Sequence, residues 1–166
     1  MIDDYYASIG NSQAAASLDR YCDLFRMQMA TWQIVPSLMT RRVSDNEEFS
    51  VAIQRAYGSF GIAWRLLGDI QDIEADMANG IPSSIFVCLS QDMRQCWRTG
   101  NGAKKGTESG ARAETVFNYI LQNKIIERIK ARICRELISA AAIADDYHLP
   151  GLANEFRCLL KPLENP

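Results

Sequence analysis

Apolar side chains recur along this chain at alternating steps of three and four, the period of an amphipathic helix rather than of a strand. Leu18, Tyr21, Cys22, Phe25, Met29 and Trp32 share one face. Ser17 is a good N-cap for that helix, Asp19 suits its first turn, and Pro36 is expected to end or kink it. Ser44-Asp45-Asn46-Glu47 has the form of a capping box and predicts the start of the next helix. Its stripe is Phe49, Ile53, Ala56, Phe60, Ala63, Leu67 and Ile70, with no break before Asn79-Gly80. At 1.5 Å per residue that helix would be about 50 Å long. A second long helix is predicted over 112–147, with Phe117, Leu121, Ile125, Ile129, Ile133 and Leu137 inward and Leu149-Pro150-Gly151 closing it. Shorter helical segments are expected at 3–9, 83–89, 90–98 and 152–160. The β-rich run Ile85-Phe86-Val87-Cys88-Leu89 has no partner run. Gly100, Gly102, Gly106 and Gly110 mark 99–111 as a surface loop, and it lacks the P-loop order G-x-x-x-x-G-K-[ST]. The pattern predicts one all-α domain over 1–166, with two long antiparallel helices and several shorter ones.

Composition narrows the function classes. The chain has 166 residues, 48% hydrophobic and 23% charged, with a net charge of −2. That is an ordinary globular balance. It lacks the basic surface that a nucleic-acid binder uses. No stretch reaches the roughly 18 continuous apolar residues of a membrane span, and Met1-Ile2-Asp3-Asp4 has no basic, then apolar, start of a secretory signal. The five cysteines include no C-x-x-C pair, which fits free thiols in a reducing cytoplasm better than a disulfide framework or a zinc knuckle.

The strongest chemical constellation is Gly68-Asp69-Ile70-Gln71-Asp72-Ile73-Glu74-Ala75-Asp76. Asp69, Asp72 and Asp76 fall at i, i+3 and i+7, within about 60° of arc on a regular helix. Gly58, Gly61 and Arg65 precede them on the same face. Carboxylates at one-turn spacing suit Mg²⁺, a hard ion bound through a few carboxylates, waters and substrate phosphates. An acidic helix face is also commonly just a solvated one, with Arg65 offsetting Asp69 one turn away.

The wording of Tyr57-Gly58-Ser59-Phe60-Gly61-Ile62-Ala63-Trp64-Arg65-Leu66-Leu67-Gly68-Asp69-Ile70-Gln71-Asp72 resembles the second aspartate-rich region of trans-isoprenyl diphosphate synthases, the polyprenyl synthetase family. There a Gly-x-x-Gly-x-Ala-Phe-Gln stretch leads into D-D-x-x-D. Residues 21–32 resemble the family helix with a Lys-Thr-Ala phosphate-binding step, and 80–89 resemble the segment after the aspartates. The resemblance covers about the C-terminal half of a family enzyme. It implies a terpenoid-synthase-like helical array, here a partial one. It also implies that Asp69, Asp72 and Asp76 face Mg²⁺, and that Gln28 and Arg65 stand at diphosphate-binding positions. In such enzymes two acidic clusters hold metal ions against an allylic diphosphate, which ionises and is attacked by isopentenyl diphosphate.

The chain departs from that pattern at defined positions. Gly68 replaces the first aspartate, Gln28 and Met29 replace Lys and Thr, Arg65 replaces Gln, and Ile81 replaces a Lys. The first aspartate-rich motif is missing. The resemblance therefore implies a protein of isoprenoid biosynthesis that is inactive as an isolated chain. The alternative is a non-catalytic helical subunit paired with another prenyltransferase-like chain. Half of an array should leave an apolar seam, so a homodimer or a helical partner is expected. Lys124, Arg128, Arg132 and Arg135 form a basic ridge read as a solvated face, His148 is expected near the last carbonyls of its helix, and Trp32, Trp64 and Trp97 are expected in the core.

Overall fold

The computed structural model describes residues 17–44, 46–99 and 107–164, and among these it is all-α with no strand. The helix expected at 3–9 lies outside the described residues. Helix α1 spans Leu18–Gln28 and runs into a 3-10 turn, Met29–Thr31. Then come α2 (Ile34–Ser44), α3 (Glu47–Gln71), α4 (Ile73–Asn79), α5 (Ser84–Cys88) and α6 (Gln91–Thr99). After them lie α7 (Thr107–Gln122), α8 (Ile125–Asp146), α9 (Pro150–Cys158) and the single turn α10 (Lys161–Glu164).

Helices α3 and α8 are the spine. Phe49, near the start of α3, lies against Tyr147, just past the end of α8, with ring centroids 5.5 Å apart. Ala56 of α3 shares a fully buried cluster with Ala140, Ala141 and Ala144 of α8. Farther along α3, Ile62, Ala63 and Leu66 share a core with Ile125, Ile129, Ile133 and Leu137. The two helices therefore run antiparallel, as expected. Alanine at the crossing brings the helix axes close, because interaxial distance follows side-chain size. Helix α9 covers the pair through Ala153 and Phe156, the latter 5.8 Å from the ring of Phe60.

Several boundaries differ from expectation for physical reasons. Pro36 does not end a helix. It sits in the first turn of α2, where its missing N–H has no helical acceptor to lose. The cap of α3 is Asn46, whose side chain accepts the Phe49 N–H at 3.1 Å, while Ser44 donates back to the Thr40 carbonyl. The helix predicted over 112–147 is two helices. Lys124 adopts a left-handed φ of 50° between α7 and α8. That break shifts the helical phase, so Val116 and Ile120 point into the core and Leu121 is exposed. Helix α7 opens at Thr107, so the loop placed at 99–111 is narrower, and 100–106 lie outside the described residues. Gly80, at φ 64°, ends α4 as the sequence predicts, a left-handed position that glycine takes without a Cβ clash.

The β-rich run becomes α5, buried almost throughout. Arg94 satisfies the carbonyls at its end, donating to Val87 and Leu89. Trp97 is fully buried beneath it, and its indole N–H donates to the Ile81 carbonyl at 3.1 Å. Among the described residues no helix is long and apolar enough to cross a membrane.

Candidate functional site

The face of α3 that carries Gly58, Gly61, Arg65 and Asp69 is not open to solvent. Helix α1 and the start of α5 cover its C-terminal half, and Asp69 is only 3% exposed. Its carboxylate is held from three directions. The Tyr21 hydroxyl of α1 donates to Oδ2 at 2.8 Å. The Ser84 backbone N–H donates to the same oxygen at 2.9 Å. Arg65 Nε stands 3.0 Å from Oδ1 and donates to the Tyr21 oxygen at 3.0 Å.

This arrangement follows from local sequence. Arg65 and Asp69 are one helical turn apart, so they pair along α3. Helix α5 begins after Ser83, whose side chain makes no capping bond. Its first N–H groups would be orphaned in a buried position. Asp69 supplies the missing acceptor from another helix, so it serves as an N-cap in trans. Close by in sequence, the hydroxyls of Ser83 and Ser84 are buried without a hydrogen-bond partner among the described residues.

Electrostatics reflect the burial. Removal from water, reinforced by the Asp69 charge and partly offset by Arg65, pushes the Tyr21 phenol far above its usual range. It therefore remains a hydrogen-bond donor at neutral pH. Burial opposes the Arg65 charge, but Asp69 and Tyr21 outweigh it and raise its pKa. Burial raises the Asp76 carboxyl, and the charges of Asp69 and Asp72 add to that while Arg65 offsets part of it.

Asp72 and Asp76 do not join Asp69 in one ligand set. The turn at Asp72 separates α3 from α4, and Asp72 is exposed there at the C-cap of α3. Asp76 is half-buried on α4. Among the described residues no group of three or more His, Cys, Asp or Glu side chains is placed to hold a metal ion. The oxygens of Asp69 that Mg²⁺ would need are occupied by donors, and Arg65 brings a positive charge against them. These residues do not fit the ion that the resemblance implies. A Cβ at Gly68 would meet nothing within 4 Å, so an aspartate is sterically admissible at that position.

The two positions matched to diphosphate binding flank an apolar cavity. Gln28 lines it with Phe25, Met29, Trp32, Phe60, Gly61 and Trp64, enclosing about 550 Å³. Arg65 lies over the Phe25 ring, 5.5 Å from its centroid, without lining the cavity itself. Met29 packs directly on Gly61. A Cβ there would come within 2.2 Å of the Met29 methyl, so the glycine admits the thioether to the cavity floor. Trp97 is core as expected, whereas Trp32 and Trp64 are 78% and 64% exposed at the cavity rim.

The basic ridge on α8 is partly internal. Arg132 pairs with Glu136 at 2.8 Å and with Asp19 of α1, and Arg26 reaches Glu136 at 3.5 Å. The ridge therefore ties α1 to α8 at Arg132, while Arg135 is exposed. His148 is exposed in a left-handed conformation after α8, and its N–H donates to the Asp145 carbonyl at 2.9 Å. All five cysteines are free, and burial pushes the Cys22 thiol up to about 11.

Sequence spacing alone misses Tyr21 and Ser84 as partners of Asp69. Spacing locates Asp69 on a helix face, but only tertiary packing sets which helices cover that face. No protein-family model, curated protein or solved structure matches the chain.

Proposed function

We propose that this chain is a catalytically silent relative of the polyprenyl synthetases, a helical subunit that pairs with another prenyltransferase-like chain. The observation that carries the reading is the use made of Asp69. The aspartate that resembles a metal ligand is spent on internal hydrogen bonds to Tyr21 and Ser84 and on an ion pair with Arg65. Ionising an allylic diphosphate needs strong stabilisation of the leaving charge. Here the first aspartate of that region is Gly68, the phosphate-binding lysine is Gln28, and no three acidic side chains among the described residues are placed to hold a metal ion. The five free thiols fit a cytoplasmic location.

The test is product extraction after long incubation of the purified chain with Mg²⁺, isopentenyl diphosphate and dimethylallyl, geranyl or farnesyl diphosphate. No prenyl product is expected. Gly68→Asp fits sterically and should still give none, because one added carboxylate does not free Asp69. Product that Asp69→Ala abolishes would overturn the silent reading and make the chain an enzyme.

A further inference from the structure

We infer that the outer face of the 3-10 turn and α2 is a docking groove for an amphipathic helix of the partner chain, one whose apolar stripe is flanked by carboxylates. This rests on the partner-subunit reading above and specifies the chemistry of that partner.

Helix α2 is turned inside out for a monomer. Its one buried residue is Ser37, joined to Ser50 of α3 through hydroxyls 2.9 Å apart. Its aliphatic residues point outward. Ile34, Val35, Leu38 and Met39 are all more than half exposed, and Val43 is 85% exposed. Ile34 and Leu38 form one i, i+4 row, and Val35, Met39 and Val43 form the adjacent row, so together they make one continuous helix face. Contiguous exposed apolar patches of this kind mark interaction surfaces.

Two further features specify the occupant. First, the face continues through Trp32 into the cavity bounded by Phe25, Phe60 and Trp64. A concave aromatic socket accepts a side-chain knob, the anchor of helix-in-groove recognition, and a flat bilayer would leave it unfilled. Second, the groove is rimmed by positive charge. Arg42 has no acid partner among the described residues, while its neighbour Arg41 is paired with Glu47 at 3.0 Å. Beside the socket Arg65 lies over the Phe25 ring with its Nε on Tyr21 and Asp69, and its side chain remains 40% exposed. A partner with flanking carboxylates meets both ends. A second copy does not. Antiparallel α2 helices would set Arg42 against the positive N-terminal end of the other copy, and parallel ones would set Arg42 against Arg42.

The probes are a helical peptide of about 20 residues with leucines at i, i+3, i+4 and i+7 and glutamate flanks, and its lysine-flanked twin. Vesicles of phosphatidylcholine with phosphatidylserine are the third probe. Binding of fluorescently labelled peptides is read by anisotropy. The glutamate peptide should bind at least tenfold more tightly than the lysine twin. Leu38→Gln with Met39→Gln should weaken it at least tenfold without changing the circular dichroism or the urea midpoint. Arg42→Glu should narrow or reverse the preference. Equal binding of the two peptides, or binding indifferent to the Leu38 and Met39 substitutions, would overturn the proposal. So would vesicle co-sedimentation that those substitutions abolish, or a homodimer in light scattering that they split. The prenyl-product assay is separate. The groove can fail while the chain stays silent, and product formation would remove the silent reading without touching the peptide result.

Discussion

Tyr21 and Asp69 lie 48 residues apart in sequence, and their side chains meet at 2.8 Å in the buried seam between α1 and α3. That bond, with the Ser84 N–H on the same oxygen, makes one carboxylate the junction of three helices. Hydrogen bonds to charged groups contribute about 1.5–3 kcal/mol each. Tyr21→Phe keeps the ring and removes the donor, so it should lower stability by about that amount in urea denaturation, with little change in m. Asp69→Ala also strands the Ser84 N–H and the Tyr21 hydroxyl, and should cost about 3 kcal/mol or more. Asp72→Ala, at an exposed position, should stay within about 0.5 kcal/mol. If Asp69 were instead chiefly a metal ligand, Tyr21→Phe would be mild and millimolar Mg²⁺ would raise the wild-type midpoint.

A second tie of α1, this one to α8, is ionic. Glu136 is buried and accepts from Arg132, with Arg26 nearby and Asp19 on the other side of Arg132. Removing one partner of a buried pair leaves the other charge uncompensated, at a cost of about 3–5 kcal/mol. Arg26 remains 3.5 Å from Glu136, so Arg132→Ala should fall at or below the lower end of that range. The double substitution Arg132→Met with Glu136→Leu should recover most of the loss. Thermal or urea midpoints of the three proteins decide this, and a double variant as unstable as Arg132→Ala would assign the effect to packing rather than charge.

Helix phase was legible in the sequence where the apolar spacing ran uninterrupted. Ile125, Ile129, Ile133 and Leu137 are buried as their spacing predicts, and Gly80 ends α4 as its residue type predicts. The structure departs from the pattern at helix junctions whose residue types do not settle where one helix stops and the next starts. At Lys124 the left-handed residue is a lysine, and helix propensity gives no warning of it. At Pro36 the proline was visible, but whether it ends a helix or opens one depends on the turn before it, here the 3-10 turn Met29–Thr31. The site was half legible. Spacing paired Arg65 with Asp69, but the covering of that face by Tyr21 and Ser84 is a long-range contact that no local pattern encodes. Residue type alone places Trp32 and Trp64 in the core, whereas they rim an open cavity.

The Lys124 break gives a test of its own. A left-handed conformation costs a non-glycine L-residue roughly 1–2 kcal/mol, and glycine removes that strain while adding about 0.4–1 kcal/mol of unfolded-chain entropy. Lys124→Gly should therefore be neutral to stabilising by up to about 1 kcal/mol. Lys124→Val, β-branched at the same φ, should destabilise clearly. Both are read from urea midpoints. A large loss in Lys124→Gly would mean that the lysine side chain, rather than the backbone turn, holds α7 to α8.

The Asp76 carboxyl offers a pH test that separates a metal-free acidic face from a metal site. Its folded pKa is raised above the ordinary 3.8, first by burial and then by the charges of Asp69 and Asp72, with Arg65 offsetting part. Between the ordinary value and the raised one, the folded chain binds more protons than the unfolded chain. Stability from this group is therefore full below pH 3.8 and falls as pH rises through the folded pKa. Above that window the ionised carboxylate is a standing, small penalty, limited because the side chain is half solvated. Asp76→Asn removes it. The variant should show a higher urea midpoint than the wild type at pH 7, and the difference should shrink toward zero as pH is lowered past the ordinary carboxylate value. Added Mg²⁺ should change neither curve. A bound cation would act in the opposite direction: it would favour the ionised form, depress the Asp76 pKa and make Asp76→Asn the less stable protein at pH 7 in Mg²⁺. A midpoint that rises with Mg²⁺ in the wild type and not in Asp76→Asn would therefore place a cation at this acidic turn and reopen the metal role of Asp72 and Asp76.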